Sequence, residues 1–356
     1  MTLRDVRPID CDIHPAPPRT ADLLPYLDAH WREQMVGRGI DGLDLSSYPP
    51  NAPFSARPDW RPAEGRPAGD LGLLRSQALD PFGTRYAICN CLHGALAMFS
   101  EDMGAALAGA VNEWMAREWL DRDPRLRASI LVTPRNAEFA VEEIERRAAD
   151  PRFVQVLMLV SGDMPLGRRI NWPIYAAAER HGLPIGVHAG SAQHHPPTTI
   201  GWPSYLVEDY VGHATGFQTQ LISLIAEGVF DKFPALRVVL IESGVSWLFP
   251  FLWHVTKEWR GLRTEVPWVD RPPIEIVREQ VRLTVQPFDA PPDPAELSRV
   301  LDQIGSDKML LFATDYPHWQ FDGDDPLPAG FPAHLIERLC VQNPLETYPR
   351  LKESTS

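Results

Sequence analysis

Apolar runs separated by stretches of helical spacing set the rhythm of this sequence. A first run begins at Val6 and closes at Asp12-Ile13-His14-Pro15; later runs fall at 86–92 (YAICNCL), 128–132 (ASILV), 154–160 (VQVLMLV), 184–189 (PIGVHA), 237–241 (RVVLI), 281–285 and 309–313. Helical periodicity fills the intervals, over 101–120, 137–149, 173–181, 208–227, 245–259 and 294–304, with a last helix near 333–339. Near-continuous apolar strands alternating with helices mark a parallel sheet covered on both faces. Eight such units predict a closed α/β barrel, a distorted (β/α)8 TIM barrel, spanning 1–356 as one domain. An open doubly wound sheet is the alternative, but no glycine-rich dinucleotide fingerprint follows an early strand. Residues 15–80 break the rhythm. They form a proline-rich insertion, predicted as an extended loop with a short helix at 20–35, either a lid or subunit contact or a solvent-exposed insertion.

Composition narrows the class. A formal net charge of −13 argues against a nucleic-acid surface and leaves no polybasic membrane patch. No apolar run is long enough to span a bilayer, and the N-terminal segment lacks the apolar core of a signal peptide, so a cytoplasmic protein is expected. Cys89 and Cys91 are one residue apart, which is not a redox or zinc-knuckle spacing, and the four cysteines read as reduced, buried thiols.

The chemistry lies where apolar strands give way to loops. Asp12 and His14 alternate with Ile13 and leave the first strand on one face, and Pro15 ends that strand. His188 stands in GVHAG, Glu242 in IESG, and Asp315 and His318 in ATDYPH. One such group is ordinarily a structural residue or a helix cap. Four strand ends of a parallel barrel converge on one axis, however, so Asp12, His14, His188, Glu242 and Asp315 are expected to meet at the C-terminal mouth. Mixed imidazole and carboxylate donors suit Zn2+, Mn2+ or Fe2+ with a position left for water, and an adjacent Asp can move a proton. His318 either faces the mouth or caps a helix. Arg168 and Arg169 are candidates for a substrate carboxylate, against ordinary surface arginines. His93, Trp202, Tyr205, His213, Trp247 and Trp319 are candidates for an aromatic wall, and His194-His195 reads as a solvated loop before a second metal site.

These motifs, together with Asn112 in AVNEWMA and the run GVFDKFPALRVVLIESG, resemble the amidohydrolase superfamily, in particular the branch of amino-carboxymuconate-semialdehyde and gamma-resorcylate decarboxylases. The resemblance implies one divalent metal ion, zinc ahead of manganese, a small-molecule substrate and a homodimer. His14, His188 and Asp315 match family metal ligands. Asp12 stands where the superfamily more often has the first histidine of His-x-His, and is taken as a ligand. Glu242 stands where the semialdehyde decarboxylase has a histidine near the substrate, as either a further ligand or a general acid/base, and with Asp315 and His318 makes up the expected catalytic set. The implied function is non-oxidative decarboxylation of an aromatic or unsaturated carboxylic acid. The alternative is hydrolysis of a lactone, amide or C–C bond by metal-activated water. A third reading, a barrel that has lost its chemistry and serves as a scaffold, sits poorly with ionisable groups at all four strand ends.

Overall fold

The structure, a computed structural model, describes residues 3–43, 56–190, 196, 198–321, 323–327 and 330–352. Eight parallel strands follow one another in sheet order as they do in sequence: β1 Ile9–Ile13, β2 Tyr86–Cys89, β3 Leu126–Leu131, β4 Phe153–Leu159, β5 Ile185–His188, β6 Val238–Ile241, β7 Val281–Thr284 and β8 Leu310–Leu311. Between them run α1 Ala29–Arg38, α2 Glu101–Met115, α3 Ala137–Arg147, α4 Trp172–Arg180, α5 Leu206–Ala226, α6 Leu248–Leu262, α7 Pro273–Gln280 and α8 Pro294–Ile304, with α9 Asn343–Thr347 after the last strand. Strand residues are buried on both faces, apart from a half-buried Tyr86, because helices cover the outside and side chains fill the inside.

The barrel closes across a seam between its first and last strands. Cys11 N–H donates to the Phe312 carbonyl (2.9 Å), Asp315 N–H to the Asp12 carbonyl (3.0 Å) and His14 N–H to the Tyr316 carbonyl (2.8 Å). Buried Asp10 reinforces this seam, accepting from Thr314 N–H (3.0 Å) and the Thr314 hydroxyl (2.6 Å). Burial pushes the Asp10 carboxyl up to about 7, against the pull of its Thr314 hydrogen bonds. Register shifts in β1–β2, between Asp10 and Ile13, and in β3–β4, between Ala128 and Ser129, make the barrel irregular.

Part of the barrel interior is polar. Tyr348 OH lies 3.1 Å from Gln155 Oε1; Gln155 Nε2 donates to Ser129 Oγ (2.9 Å) and to Asn90 Oδ1 (3.2 Å); Ser129 Oγ donates to the same Asn90 oxygen (2.6 Å). Room for this ladder comes from Gly186, where an added Cβ would stand 2.5 Å from Gln155 Nε2 and 2.9 Å from Ile241 Cδ1.

The strand and helix pattern matches expectation to within a few residues, with instructive departures. The segment around Val6 is a short helix, Leu3–Val6, so the first strand starts later, at Ile9. The 15–80 insertion is more structured than an extended loop: a 3-10 turn at Thr20–Tyr26, α1, and helical turns at Pro58–Trp60 and across residues 71–82. Among the described residues it also reaches the mouth, where Ala56 bridges to His318 and Arg57 N–H donates to the Pro317 carbonyl (2.9 Å). The helix expected at 101–120 ends its α-helical part at Met115 and continues as a π-helical turn to Leu120. At the C-terminus a 3-10 turn, a π turn and α9 replace one helix at 333–339, and α7 was not expected at all. No helix among the described residues is long and apolar enough to cross a membrane.

Candidate metal and catalytic centre

The C-terminal ends of β1, β5, β6 and β8 meet around one small volume. Asp12, His14, His188 and Asp315 are all buried, and the Glu242 side chain is only 8% exposed. Asn90, just beyond β2, holds both β1 groups at once: its Nδ2 donates to Asp12 Oδ1 (2.8 Å), and its backbone carbonyl lies 2.9 Å from His14 Nδ1. A carbonyl can only accept, so Nδ1 carries the hydrogen and Nε2 faces the centre. His188 Nδ1 is tied in the same way to the Ala189 carbonyl, again turning Nε2 inward. Glu242 and Asp315 sit at left-handed backbone angles, φ 56° and 57°, which non-glycine residues rarely adopt outside functional sites. That turn aims each carboxylate across the mouth; the Glu242 backbone is fixed by its N–H donating to Thr284 Oγ1 (3.0 Å).

The distances are short. His14 Nε2 lies 2.8 Å from Asp315 Oδ1, 3.2 Å from Glu242 Oε1 and 3.3 Å from Asp12 Oδ1. His188 Nε2 lies 3.0 Å from Glu242 Oε1 and 3.7 Å from Asp12 Oδ2. His318, three residues beyond Asp315, places Nδ1 2.7 Å from Asp315 Oδ1 and 3.5 Å from Glu242 Oε1, and its ring stacks on His14 at 4.7 Å. Of the two expectations for His318, the structure gives the mouth-facing one.

Several of these contacts are close without being hydrogen bonds. Asp12 Oδ2, His188 Nε2, Glu242 Oε1 and Asp315 Oδ2 are all buried and have no hydrogen-bond partner among the described residues. The 3.0 Å approach of His188 Nε2 to Glu242 Oε1 therefore brings the atoms together without aligning the N–H on the oxygen. Buried polar atoms in native proteins are normally paired, and four orphans facing one volume are what a bound cation would satisfy.

The electrostatics agree. Burial drags the His14 imidazolium down, but Asp12, Asp315 and Glu242 outweigh it and hold His14 well above 6.5. Against the same burial, Glu242 and Asp12 raise His188 to about 10, and Asp315 and Glu242 raise His318 to about 9. Burial pushes Asp12 upward, yet His14 and His188 bring it to about 2; Glu242 is likewise held well below its ordinary range by His188, His14 and His318. Asp315 goes the other way, to about 6, under burial and the neighbouring Glu242 charge. The cluster as a whole demands positive charge. Its donor atoms fall into two groups of four, Asp12, His14, His188 and Glu242, and His14, Glu242, Asp315 and His318, within each of which all ligand atoms lie within 4.8 Å of one another.

Of the remaining sequence candidates, His213 lies within electrostatic reach of Glu242 and His188, and the others are dispersed. His93 is buried and caps a 3-10 turn, its Nδ1 accepting from Ala95 N–H (3.1 Å). Arg168 and Arg169 are exposed; Arg169 faces Glu227 at 3.5 Å and stacks over Trp172 and Trp268. Trp202 and Tyr205 are exposed to 43% and 71%, and Trp319 is half exposed with its ring 6.2 Å from Tyr210. Trp247 is core, stacked on Phe217 and donating Nε1–H to the Ser243 carbonyl (2.8 Å). His213, on α5, is held below its ordinary range by burial, with Asp209 and Glu242 pulling it up and His188 adding to the fall. His194-His195 lie outside the described residues. Asn112 proves structural, bridging the Leu131 backbone and Glu143 Oε1 (2.9 Å to each acceptor).

Residue-by-residue reading missed the Asn90 ladder. Its signal was present, since Asn90 and Gln155 are polar interruptions of the apolar runs YAICNCL and VQVLMLV.

Comparison with known proteins fits this geometry. A gamma-resorcylate decarboxylase of Rhodococcus jostii (strain RHA1) is 24% identical over 230 residues, covering 59% of this chain and 66%, just under two thirds, of the relative's own length. Among solved structures, a 5-carboxyvanillate decarboxylase from Sphingomonas paucimobilis superposes with a TM-score of 0.67 at 20% identity, covering 97% of this chain and 99% of that one. A dihydroxybenzoic acid decarboxylase from Polaromonas sp. JS666, with bound manganese and the inhibitor 2-nitroresorcinol, gives a TM-score of 0.67 at 16% identity over 100% and 99% of the two chains. At these identities the structures establish a shared fold. The amidohydrolase family model matches residues 9–350, nearly the whole chain, and the protein belongs to that family.

Proposed function

We propose that this protein is a divalent-metal-dependent, non-oxidative decarboxylase of an aromatic carboxylic acid. The observation that carries the reading is that Asp12 Oδ2, His188 Nε2 and Glu242 Oε1, three buried donor atoms without a hydrogen-bond partner, gather with His14 on a chain similar to decarboxylases of hydroxylated benzoic acids. In this reading Asp12, His14 and His188 hold the ion and Glu242 Oε1 completes the set, while Asp315, placed among the ligands by sequence, stays with His318 on the adjoining side. Several carboxylates among the donors suit manganese better than the zinc expected from sequence, and manganese is bound in the Polaromonas structure. We read the chain as one domain, a homodimer, in a reducing cytoplasm; four free, buried cysteines fit that compartment.

A bound divalent ion would supply the positive charge that fixes a substrate carboxylate and a neighbouring hydroxyl. The chain's own residues do the rest. Asn90 orients Asp12 and His14 together, and the buried strand ends exclude water. Asp315 delivers its proton to the ring carbon bearing the carboxylate, the bond from that carbon to the carboxylate breaks, carbon dioxide leaves, and the ring keeps the proton. His318, 2.7 Å from Asp315 Oδ1, is placed to reload it.

The test is to incubate manganese-loaded protein with a panel of hydroxybenzoates, lactones and amides, measuring carbon dioxide and hydrolysis products in parallel. Carbon dioxide release that is lost in Asp315→Asn supports the reading. Hydrolysis of lactones or amides without carbon dioxide from any acid would replace it with the hydrolase alternative.

A further inference from the structure

We infer that Arg168 and Arg169 form a binding site for an aromatic carboxylate on the flank of the barrel, separate from the mouth. The site stands whether or not the mouth decarboxylates.

Met164, Arg168, Arg169, Ile170 and Glu227 line a cavity of about 380 Å³, within the range of about 300–1,000 Å³ that small-molecule sites occupy. Its place follows from topology. Glu227 stands at the end of α5, on the side of the barrel where β6 begins, whereas Glu242 and the metal donors stand where β6 ends. The loop that carries the arginines is pinned there. Leu166 N–H donates to Gln220 Oε1 (2.7 Å) and Gly167 N–H to Ser223 Oγ (3.1 Å), while Asn171 Nδ2 (3.0 Å) and the Tyr175 hydroxyl (2.6 Å) both donate to the Leu166 carbonyl. At Gly167 an added Cβ would stand 2.1 Å from the Ser223 carbonyl oxygen, so the loop lies flat on α5.

Arg169 is positioned by rings instead of by hydrogen bonds. Its Cζ lies 5.2 Å from the Trp172 ring centre and 5.3 Å from that of Trp268. Trp268 is fixed in turn by Nε1–H donating to the Ala226 carbonyl (2.8 Å), and Trp172 by an edge contact with Phe233 at 5.9 Å. Ring contacts use the faces of a guanidinium and leave its N–H edge open, the edge that meets a carboxylate through two parallel hydrogen bonds. Among the described residues that edge has no hydrogen-bonded partner. Glu227 Oε2 stands 3.5 Å from Arg169 Nε, beyond the about 2.7–2.9 Å of a charge-assisted bond.

Arg168, exposed beside it, has no charged partner among the described residues. Two adjacent cations repel, and a carboxylate shared between them removes that repulsion. The rest of the ligand is selected by apolar surface. Ile170 and Met164 are exposed to 58% and 39% at the cavity, and Trp268, over which Arg169 lies, to 43%. A carboxylate on a flat ring uses both features at once.

The experiment is isothermal titration of the full-length protein, as purified, with benzoate, and with benzamide and acetate as probes that lack the charge or the ring. The expected result is a site for one benzoate per chain whose affinity falls about tenfold or more in Arg168→Ala and in Arg169→Lys, the latter keeping the charge and losing the fork. Benzamide and acetate should bind the parent about tenfold more weakly than benzoate, or less. Glu227→Gln removes the competing carboxylate and should tighten benzoate binding, which a merely structural Arg169–Glu227 pair would not do. Benzoate binding that is unchanged in all three variants belongs to the mouth and overturns the proposal, as does the absence of binding. Acetate binding as tightly as benzoate overturns the assignment to an aromatic acid. Arg168 makes no side-chain hydrogen bond or ion pair among the described residues, so Arg168→Ala keeps the test decisive should Arg169→Lys fail to fold.

Discussion

Asn90 holds Asp12 through its side chain and His14 through its backbone carbonyl, so removing the side chain should loosen the metal centre. In Asn90→Ala, Asp12 Oδ1 loses its 2.8 Å amide donor, a hydrogen bond to a charged group worth about 1.5–3 kcal/mol. Ser129 Oγ and Gln155 Nε2 lose their shared acceptor, though Gln155 keeps its 2.9 Å bond to Ser129 Oγ; one orphaned buried donor costs about 1–3 kcal/mol. The expected fall in stability is about 2.5–6 kcal/mol, read from urea unfolding. The backbone carbonyl that receives His14 Nδ1–H survives the substitution, so His14 keeps its orientation and only Asp12 is freed. Loss of one such supporting partner weakens metal binding about 10–100-fold, equivalent to about 1.4–2.8 kcal/mol. Competition against a chromophoric chelator on stripped protein measures it. Ser129→Ala is the control: it costs stability while leaving the Asn90–Asp12 bond in place, so affinity should stay close to the parent's. The reasoning fails if folded Asn90→Ala binds manganese as tightly as the parent, or if Ser129→Ala weakens binding equally.

Two other perturbations test the frame around the site. Gly186→Ala forces a methyl group to within 2.5 Å of Gln155 Nε2 and should destabilise by about 1–3 kcal/mol through overpacking, with an unchanged urea midpoint as the contrary result. Asp123, bonded to Arg75 Nε (2.8 Å) and Arg125 Nη2 (2.9 Å), is pushed up by burial but held below its ordinary range by Arg125 and Arg75. A depressed carboxyl stabilises the fold above its unfolded value of about 3.9 and loses that contribution as pH falls toward the folded value. Asp123→Asn should therefore melt below the parent at pH 7, with the gap narrowing from about pH 4 downward; a gap constant between pH 7 and pH 3 would contradict the assignment.

The barrel was legible because its strands are nearly all apolar and its helices periodic, signals that survive without tertiary context. The strand-end residues were legible for a related reason: a charged group where an apolar run stops stands out against its neighbours. What tertiary packing decides was not. Arg168 and Arg169 follow a strand end just as Asp315 does, but their loop turns outward, with Leu166 N–H donating to Gln220 Oε1 (2.7 Å) and Gly167 N–H to Ser223 Oγ (3.1 Å) on α5. His93 looked like a mouth residue, and its capping role depends on the local turn that places Ala95 N–H beneath it. Glu242 was expected to lie near the metal, but that it reaches His14, His188 and His318 together follows from a left-handed backbone angle that composition does not reveal. In the insertion only the helix near 20–35 was legible, because prolines hide the short helical turns that they initiate.

The seam between β1 and β8 also sets a timetable. His14 and Asp315 are 301 positions apart, and the hydrogen bonds that join Asp12 to Asp315 and His14 to Tyr316 cross that interval. On a ribosome adding about 5–20 residues each second, His14 emerges roughly 15–60 s before its partner exists. During that time the nascent chain has Asp12, His14 and later His188 without the strand that closes the ring. Tyr348, whose hydroxyl meets Gln155, arrives later still. A chain stalled before β8 thus carries Asp12, His14, His188 and Glu242 without the strand that closes the barrel around them.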